Sequence, residues 1–555
     1  MKIKINKIVC FIIVVSFLLS TSATAIKITK KSENFFLKSS NDDKISDYCP
    51  NGDLKITFTL KEIRSLDTID FLSNPDFYVK VFINGVEKTS KVWNNQNYVK
   101  EEWSTTVDIP EDLEEVEIKI QLWDKNYGLD RLCDLDNDYD LYPENRDIEL
   151  VYYTKTGHWR GDDAIQRYLD WDSRGDPSGY GRLNGCDDNS IYQNDLDCEL
   201  SFDISQTDPD GDGIPWWTEV YEFKTDPEID NSGEDEDLDG LPIEWEYNWG
   251  LTYYQPRRDS KWEELWIYHP LIWNNHSNLD PDNDGLDNIE EYKAFLEGFP
   301  TDPFRQDILL EIDQMKDGPN GEGSLLPGLT DDLLRDSYGK HNIVFIVDNQ
   351  GKVIEFDKNT SGWKGPELQQ IYYKYFLDEN ISNWRRGVFH YAPIIYNSDD
   401  YVGFMWNSVV GNWNGNWDDP NLQNCSIRGD CFQLSTNELD VRQYQWPLYY
   451  KIAQKSFNKE KQRAIVYATV IMHETGHVLG IYNSNVPGCD NRTGMHPWQI
   501  NWWIWRNYKS CMNYGYMYTF VDYSDGSNGK NDFDDWNNID LTLFQIEKNP
   551  NYQKK

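Results

Sequence analysis

Apolar and polar positions alternate with a period of two in the N-terminal third of the chain. Leu54, Ile56, Phe58 and Leu60 fall on one face, Val79, Val81 and Ile83 lead into an Asn84-Gly85 turn, and Val116, Ile118, Ile120 and Leu122 repeat the pattern. Alternation interrupted by an Asn-Gly turn predicts antiparallel strands with one buried face, so 47–160 is expected to be a β-sandwich. Further on the period changes. Residues 307–313 and 342–348 are short apolar runs, and between them lies a helical pattern that starts with Thr330 as N-cap. Strand, helix, strand predicts a crossover in an α/β layer, with later strands at 388–396 and 402–406. The expected fold class is multidomain: an N-terminal antiparallel β-sandwich, a repeat segment, and a C-terminal α/β domain over 305–545, ending in a tail at 546–555.

The first residues read as an address. Lys2, Lys4 and Lys7 precede a 12-residue apolar run at 8–19, and small and polar residues follow as far as Ala25. This is the pattern of a secretory signal peptide over 1–25, cleaved near Ala25. No other segment approaches ~18 uninterrupted apolar residues, so the mature chain is expected to lack a transmembrane span and to be secreted or at the cell surface. A polar linker follows at 26–46. Of the nine cysteines, eight outlast cleavage, and an even count in an exported chain suggests disulfides. Pairing neighbours in sequence gives Cys186–Cys198, Cys425–Cys431, Cys489–Cys511 and Cys49–Cys133, with the first of these in a connector at 161–205.

Charge narrows the partners. With 53 Lys and Arg against 95 Asp and Glu, the net charge of −42 repels phosphate backbones and anionic lipid, so no nucleic-acid partner is expected. So many carboxylates attract cations instead, and they cluster. Acids gather at strand ends in the sandwich, at Asp70 and Asp76 and at Asp124, Asp130, Asp134, Asp136, Asp138 and Asp140. Residues 206–304 hold an internal repeat. Asp208, Asp210 and Asp212 with Glu219, Asp235, Asp237 and Asp239 with Glu246, and Asp280, Asp282 and Asp284 with Glu291 occupy loop positions 1, 3, 5 and 12, with glycine at position 6. Alternating acids supply several of the six to eight oxygens that calcium requires, and glycine permits the bend. Helical patterns follow each loop, at 216–223 and 289–295 for example, but none clearly precedes it. Thr-Asp-Pro recurs at Thr207, Thr225 and Thr301, marking the edges of what is expected to be a calcium-ordered stalk. The half-motifs resemble thrombospondin type 3 and dockerin-like repeats, and the acid-tipped sandwich resembles a calcium-dependent C2 domain.

The segment 464–480 carries His473-Glu474-Thr475-Gly476-His477. Histidines four apart on a helix project from one face at the spacing a zinc ion requires, and Glu474 beside them is placed to take a proton from a water the metal acidifies. Gly480 follows three residues later, and Met512 and Tyr514 lie in Ser-Cys-Met-Asn-Tyr at 510–514. Together these residues resemble the metzincin metallopeptidases over 305–545. The resemblance implies zinc on His473 and His477, Glu474 as general base then acid, Met512 beneath the site as its Met-turn, and Tyr514 as a resting ligand or oxyanion donor. The third metzincin ligand falls here on Asn483, and an amide is a poor zinc ligand. Asp490 is preferred as the third, with His496 and Asn483 as alternatives. Asp522, Asp525, Asp532, Asp534 and Asp535 could hold a further calcium or form a solvated turn. Trp498, Trp502, Trp503 and Trp505 are expected to pack the lower subdomain or to line a pocket.

The expected function is that of an exported zinc endopeptidase, stabilised by calcium and acting on protein or peptide substrates. Its competitor is a calcium-dependent extracellular adhesion or binding protein, associated with a cell surface, whose peptidase fold is inactive.

Overall fold

The computed structural model describes residues 54–135, 146–162, 196–254, 261, 263–397, 402–405, 431–445 and 458–543, less 66–68, 71, 72, 324, 342, 361–369, 381 and 520. The signal segment, the linker, the tail, Cys49, Cys186, Cys425 and Trp406 fall outside these residues.

The predicted alternation forms strands. In chain order they are β1 (Lys55–Ser65), β2 (Phe77–Ile83), β3 (Val86–Thr89), β4 (Tyr98–Val99), β5 (Trp103–Asp108), β6 (Glu115–Asp124), β7 (Arg131–Leu132), β8 (Ile148–Tyr153), β9 (His158–Gly161) and β10 (Cys198–Gln206). One antiparallel sheet centres on β1, which pairs with β10, β4 and β5, and the other runs β3-β2-β6-β8-β9 with β7 also on β6. Asn84 and Gly85 both take positive φ, 48° and 74°, as the tight hairpin between β2 and β3 demands. The sheets meet through their apolar faces: Phe58 of β1 stacks on Phe202 of β10 at 5.6 Å, and Trp159 of β9 reaches Phe202 from the other sheet at 6.2 Å. Strand β10 comes from the segment read as a connector. Its alternation was masked by the Gly/Asp/Asn-rich stretch before it, and it completes the β1 sheet over nine paired positions from Ile56–Gln206 to Ser65–Cys198.

In the repeat segment each acidic loop feeds a helical turn. The first leads into α1 (Trp216–Thr218) and a π-helical turn (Glu219–Phe223), the second into α2 (Ile243–Gly250), and the third into α3 (Asn288–Leu296). Helix α3 starts with a capping box between Asp287 and Glu290. A hairpin of β11 (Leu251–Tyr254) and β12 (Glu263–Trp266) lies between the second and third loops. The segment does not stand clear as a stalk. It has small cores of its own, one around Trp245, Trp249, Tyr268 and Phe304, and His158 of β9 is hydrogen-bonded through Nε2 to Tyr247 O at 2.8 Å.

The C-terminal part is the predicted α/β layer. It comprises β13 (Gln306–Glu311), α4 (Thr330–Gly339), β14 (Ile343–Asp348), β15 (His390–Tyr391), β16 (Ile394–Ile395), β17 (Gly403–Met405), β18 (Phe432–Ser435), α5 (Thr436–Gln445), α6 (Lys459–Val478) and α7 (Ile500–Trp505). Thr330 is the first helical residue of α4 rather than its cap. Strand β13 pairs in parallel with β14 across the α4 crossover and with β15. Strand β18 pairs in parallel with β16 and antiparallel with β17, and a parallel bridge between Tyr391 and Cys431 links the two sets. The run expected as one strand at 388–396 is thus split in two, since Pro393 between them has no amide hydrogen to donate. In the α7 segment Trp498 and Trp503 are 69% and 56% exposed, while Trp502 and Trp505 are half-buried, Trp505 against Phe533 at 5.9 Å, so only part of it packs the subdomain as expected.

The sandwich docks directly on α4 through charge. Arg64 of β1 pairs with Glu199 of β10 and, at 2.8 Å, with Asp336 of α4, while Arg335 of α4 reaches Tyr98 Oη at 2.6 Å and Glu62 at 3.0 Å. Removing Arg64 leaves two partly buried carboxylates facing each other. Arg64→Ala is expected to cost ~2–3 kcal/mol in denaturant unfolding, at the lower end for a broken ion pair because the acids are partly solvated.

Candidate metal centre

Helix α6 begins at Asn458, whose side chain accepts from the amides of Glu460 and Lys461 at 2.9 and 3.3 Å. It ends where Gly480, at φ +98°, turns the chain away, with Ile481 N–H donating back to Gly476 O at 2.8 Å. Almost every residue from Gln462 on is buried, so the histidines sit inside the domain. His473 Nδ1 lies 3.0 Å from Cys511 O and His477 Nδ1 lies 2.7 Å from Ile481 O. Carbonyls only accept, so both Nδ1 atoms carry protons and both Nε2 lone pairs point elsewhere. They point at each other, 3.2 Å apart, and at Asp490 Oδ1, 3.4 Å from His473 and 3.6 Å from His477. Three acceptors facing one point with no proton to share fit a bound cation, and two imidazoles with one carboxylate are a donor set suited to zinc.

Asp490 is held there by the backbone. It takes a left-handed φ of 54°, and its N–H donates to Met512 O at 3.0 Å. Burial works against its ionisation; His473 and His477 pull its carboxyl well below the usual range when protonated, and a cation seated between them would do the same. Asn483 instead turns away and donates to Cys489 O at 3.3 Å, and His496 stacks on Trp498 outside the cluster. Cys489 and Cys511 are both buried thiols without a bond between them, which corrects the expected pairing; the Asp490–Met512 backbone bond ties the two segments instead. Cys133 likewise has a free thiol.

The rest of the site is a matter of close fit. Met512 is fully buried under the helix, and a Cβ on Gly476 would lie 2.5 Å from its Sδ, so a side chain there would require Met512 to shift. Tyr514 stacks on His473 at 5.5 Å, and burial followed by the hydrogen-bonded Asp490 pushes its phenol up. Glu474 is 4% exposed, and burial raises its carboxyl despite the nearby histidines. Strand β17 passes over it so closely that a Cβ on Gly403 would lie 2.5 Å from Glu474 Oε1.

The repeat loops form three acidic clusters. The glycines at position 6, Gly213, Gly240 and Gly285, all take positive φ between +91° and +108°. Backbone amides fill part of each cluster, as where Asp208 accepts from Gly211 and Gly213 at 2.8 and 3.1 Å. Other oxygens are buried with no donor: both of Asp210, Asp212 Oδ2, Glu219 Oε2, Asp237 Oδ2, Asp282 Oδ2 and both of Glu291. Burial, helped by neighbouring acids, pushes Asp212 and Asp237 up to about 6, Glu219 to about 8 and Glu246 to about 10. Orphaned inward-facing carboxylates fit a hard cation. Two residues were not found from sequence. Asn231 Oδ1 is buried without a donor near the first loop. His276 Nε2 sits 2.9 Å from Asp239 Oδ2 and 3.1 Å from Glu246 Oε1 in the second loop, 30 residues past Glu246 and without a motif of its own.

The other acidic clusters differ. Asp532 accepts from Ser524 Oγ at 2.7 Å and from Asn528 N at 2.7 Å, and Asp535 accepts from Tyr508 Oη at 2.7 Å, so these acids form a hydrogen-bonded turn. Asp136, Asp138 and Asp140 lie outside the described residues.

No protein-family model and no curated protein matches the chain. Similar solved structures include a C2 domain-containing protein from a putative elicitor-responsive gene, 14% identical over 28% of this chain and 89% of its own, at a TM-score of 0.16. They also include a C2 domain protein from Ramazzottius varieornatus, 12% identical over 28% and 88% at 0.16, and human GIVD cytosolic phospholipase A2, 13% identical over 28% and 16% at 0.18.

Two outcomes are expected. Elemental analysis should find zinc retained in Asn483→Ala and His496→Ala but lost in Asp490→Ala. Chelating calcium should lower the first thermal transition by several degrees, since each loop filled at a hundredfold above its Kd adds about 2.7 kcal/mol.

Proposed function

We propose that the chain is an exported zinc-dependent endopeptidase of metzincin type, with structural calcium in its repeat segment. The observation that carries this reading is the convergence of His473 Nε2, His477 Nε2 and Asp490 Oδ1 on one point, with Glu474 on the same helix beside them. Zinc bound there would supply Lewis acidity, polarising a peptide carbonyl and acidifying water.

The chain's own residues do the rest. Glu474, raised by burial, is suited to take a proton from the attacking water on its carboxylate and to pass it to the leaving amine. Asp490 stays a carboxylate, which keeps the donor set charged. Tyr514 keeps its phenolic proton and can offer it to a developing oxyanion. Strand β17 ends its sheet among the described residues directly above Glu474, and an extended peptide can add to such an edge. Asn483 was the reason for reading the fold as inactive, and Asp490 in its place supports the enzyme over the binding protein. No described helix is long and apolar enough to cross a membrane, and the leader-like N-terminus supports export.

Glu474→Gln should keep its zinc and its melting profile while losing ~10²–10⁴-fold in casein hydrolysis. Hydrolysis at the wild-type rate in that variant would sink the proposal.

A further inference from the structure

Two kinds of acidic loop exist in this molecule. In the repeat segment, backbone amides fill part of each cluster, but both oxygens of Asp210 and Glu291 and one each of Asp212, Glu219, Asp237 and Asp282 are buried with no donor. In the sandwich the described loop acids Asp70, Asp76, Asp124 and Asp130 each accept from a donor instead.

The centre of that second cluster is a guanidinium. The register of β6 and β7 sets Arg131 directly opposite Asp124, and Arg131 Nη2 contacts both Asp70 and Asp124, the latter at 2.6 Å. Asp124 is fully buried. Its Oδ1 accepts from Asp76 N–H at 2.9 Å, and its Oδ2 also accepts from Asn126 Nδ2 at 2.7 Å. Asp70 Oδ2 accepts from Ser73 Oγ at 3.1 Å, and Asp76 Oδ1 accepts from Asn95 N–H at 2.7 Å. Asp130 accepts from Asn126 N–H at 3.1 Å on one oxygen and from Tyr78 Oη at 2.8 Å on the other. Calcium needs six to eight oxygens with open lone pairs at about 2.3–2.6 Å. Here N–H and O–H donors engage both oxygens of Asp70, Asp124 and Asp130 and one of Asp76, and a fixed side chain supplies the positive charge.

We propose that Arg131 is the resident cation between Asp70 and Asp124, holding these two acids together so that the turn between β6 and β7 is set without calcium. The turn between β6 and β7 is therefore anchored at both ends whatever the calcium level. At its tip Tyr127 and Leu129 stand 113% and 88% exposed, so an apolar tip is presented to solvent constitutively rather than on calcium binding. This inference does not rest on the peptidase reading, because none of these residues touches α6.

The test is hydrogen exchange read by mass spectrometry on the full-length protein, in calcium and in chelator. Peptides covering 120–132 are expected to exchange at the same rate in both. Exchange that quickens in chelator, or slows as calcium is added, would show that the metal and not Arg131 holds the loops, and would overturn the proposal. In Arg131→Ala the freed oxygens of Asp70 and Asp124 should make the same peptides calcium-dependent, exchanging roughly tenfold faster in chelator than in calcium. Exchange unchanged from wild type in both conditions would also overturn it. If that variant does not fold, the wild-type comparison decides alone.

Discussion

A carboxylate taken out of water must find positive charge or donors, or give up its ionisation, and this constraint shapes the chain from end to end. With 95 acidic residues against 53 basic ones, there are too few side-chain cations to go round. The molecule meets the shortage in different ways. Guanidinium groups take the acids at the sandwich loops and at its junction with α4, as Arg131 and Arg64 do. Amides and hydroxyls take the turn around Asp532. Some oxygens of the repeat-loop acids, and Asp490, point at space that a metal would fill.

How far the sequence revealed this depended on whether a site is local. The repeat loops were legible because their ligands fall within twelve residues, and the glycine at position 6 has one conformational job. His473, Glu474 and His477 were legible because four residues make about one helical turn. Asp490 could be ranked only among alternatives, since its place depends on a backbone bond to Met512 that no spacing encodes. His276 was invisible for the same reason, as was the strand role of β10, whose partner β1 is more than a hundred residues away. Cysteine arithmetic misled for Cys489 and Cys511: the count suggested a bond where a backbone hydrogen bond does the tethering.

Two glycines limit how the geometry around His473, Glu474 and His477 can vary. Gly476 lets Met512 press against the helix between the histidines, and Gly403 lets β17 cross Glu474. A side chain at the first would require Met512 to shift beneath His473 and His477. At the second it would push the strand off the glutamate, separating the place where a substrate would lie from the group that would handle its proton.

The third repeat loop reaches beyond its own segment. Asp284 accepts from Leu286 N–H with one oxygen and, with the other, from the N–H of Asp307 in β13 at 2.8 Å; Gln306 also donates to Asp282 O at 3.0 Å. Strand β13 is the middle strand of its parallel trio and carries the crossover. Loop and sheet therefore share a carboxylate, and neither can open without exposing a polar group of the other. Shared hydrogen bonds of this kind couple their opening, so the boundary between them in sequence need not be a boundary in stability.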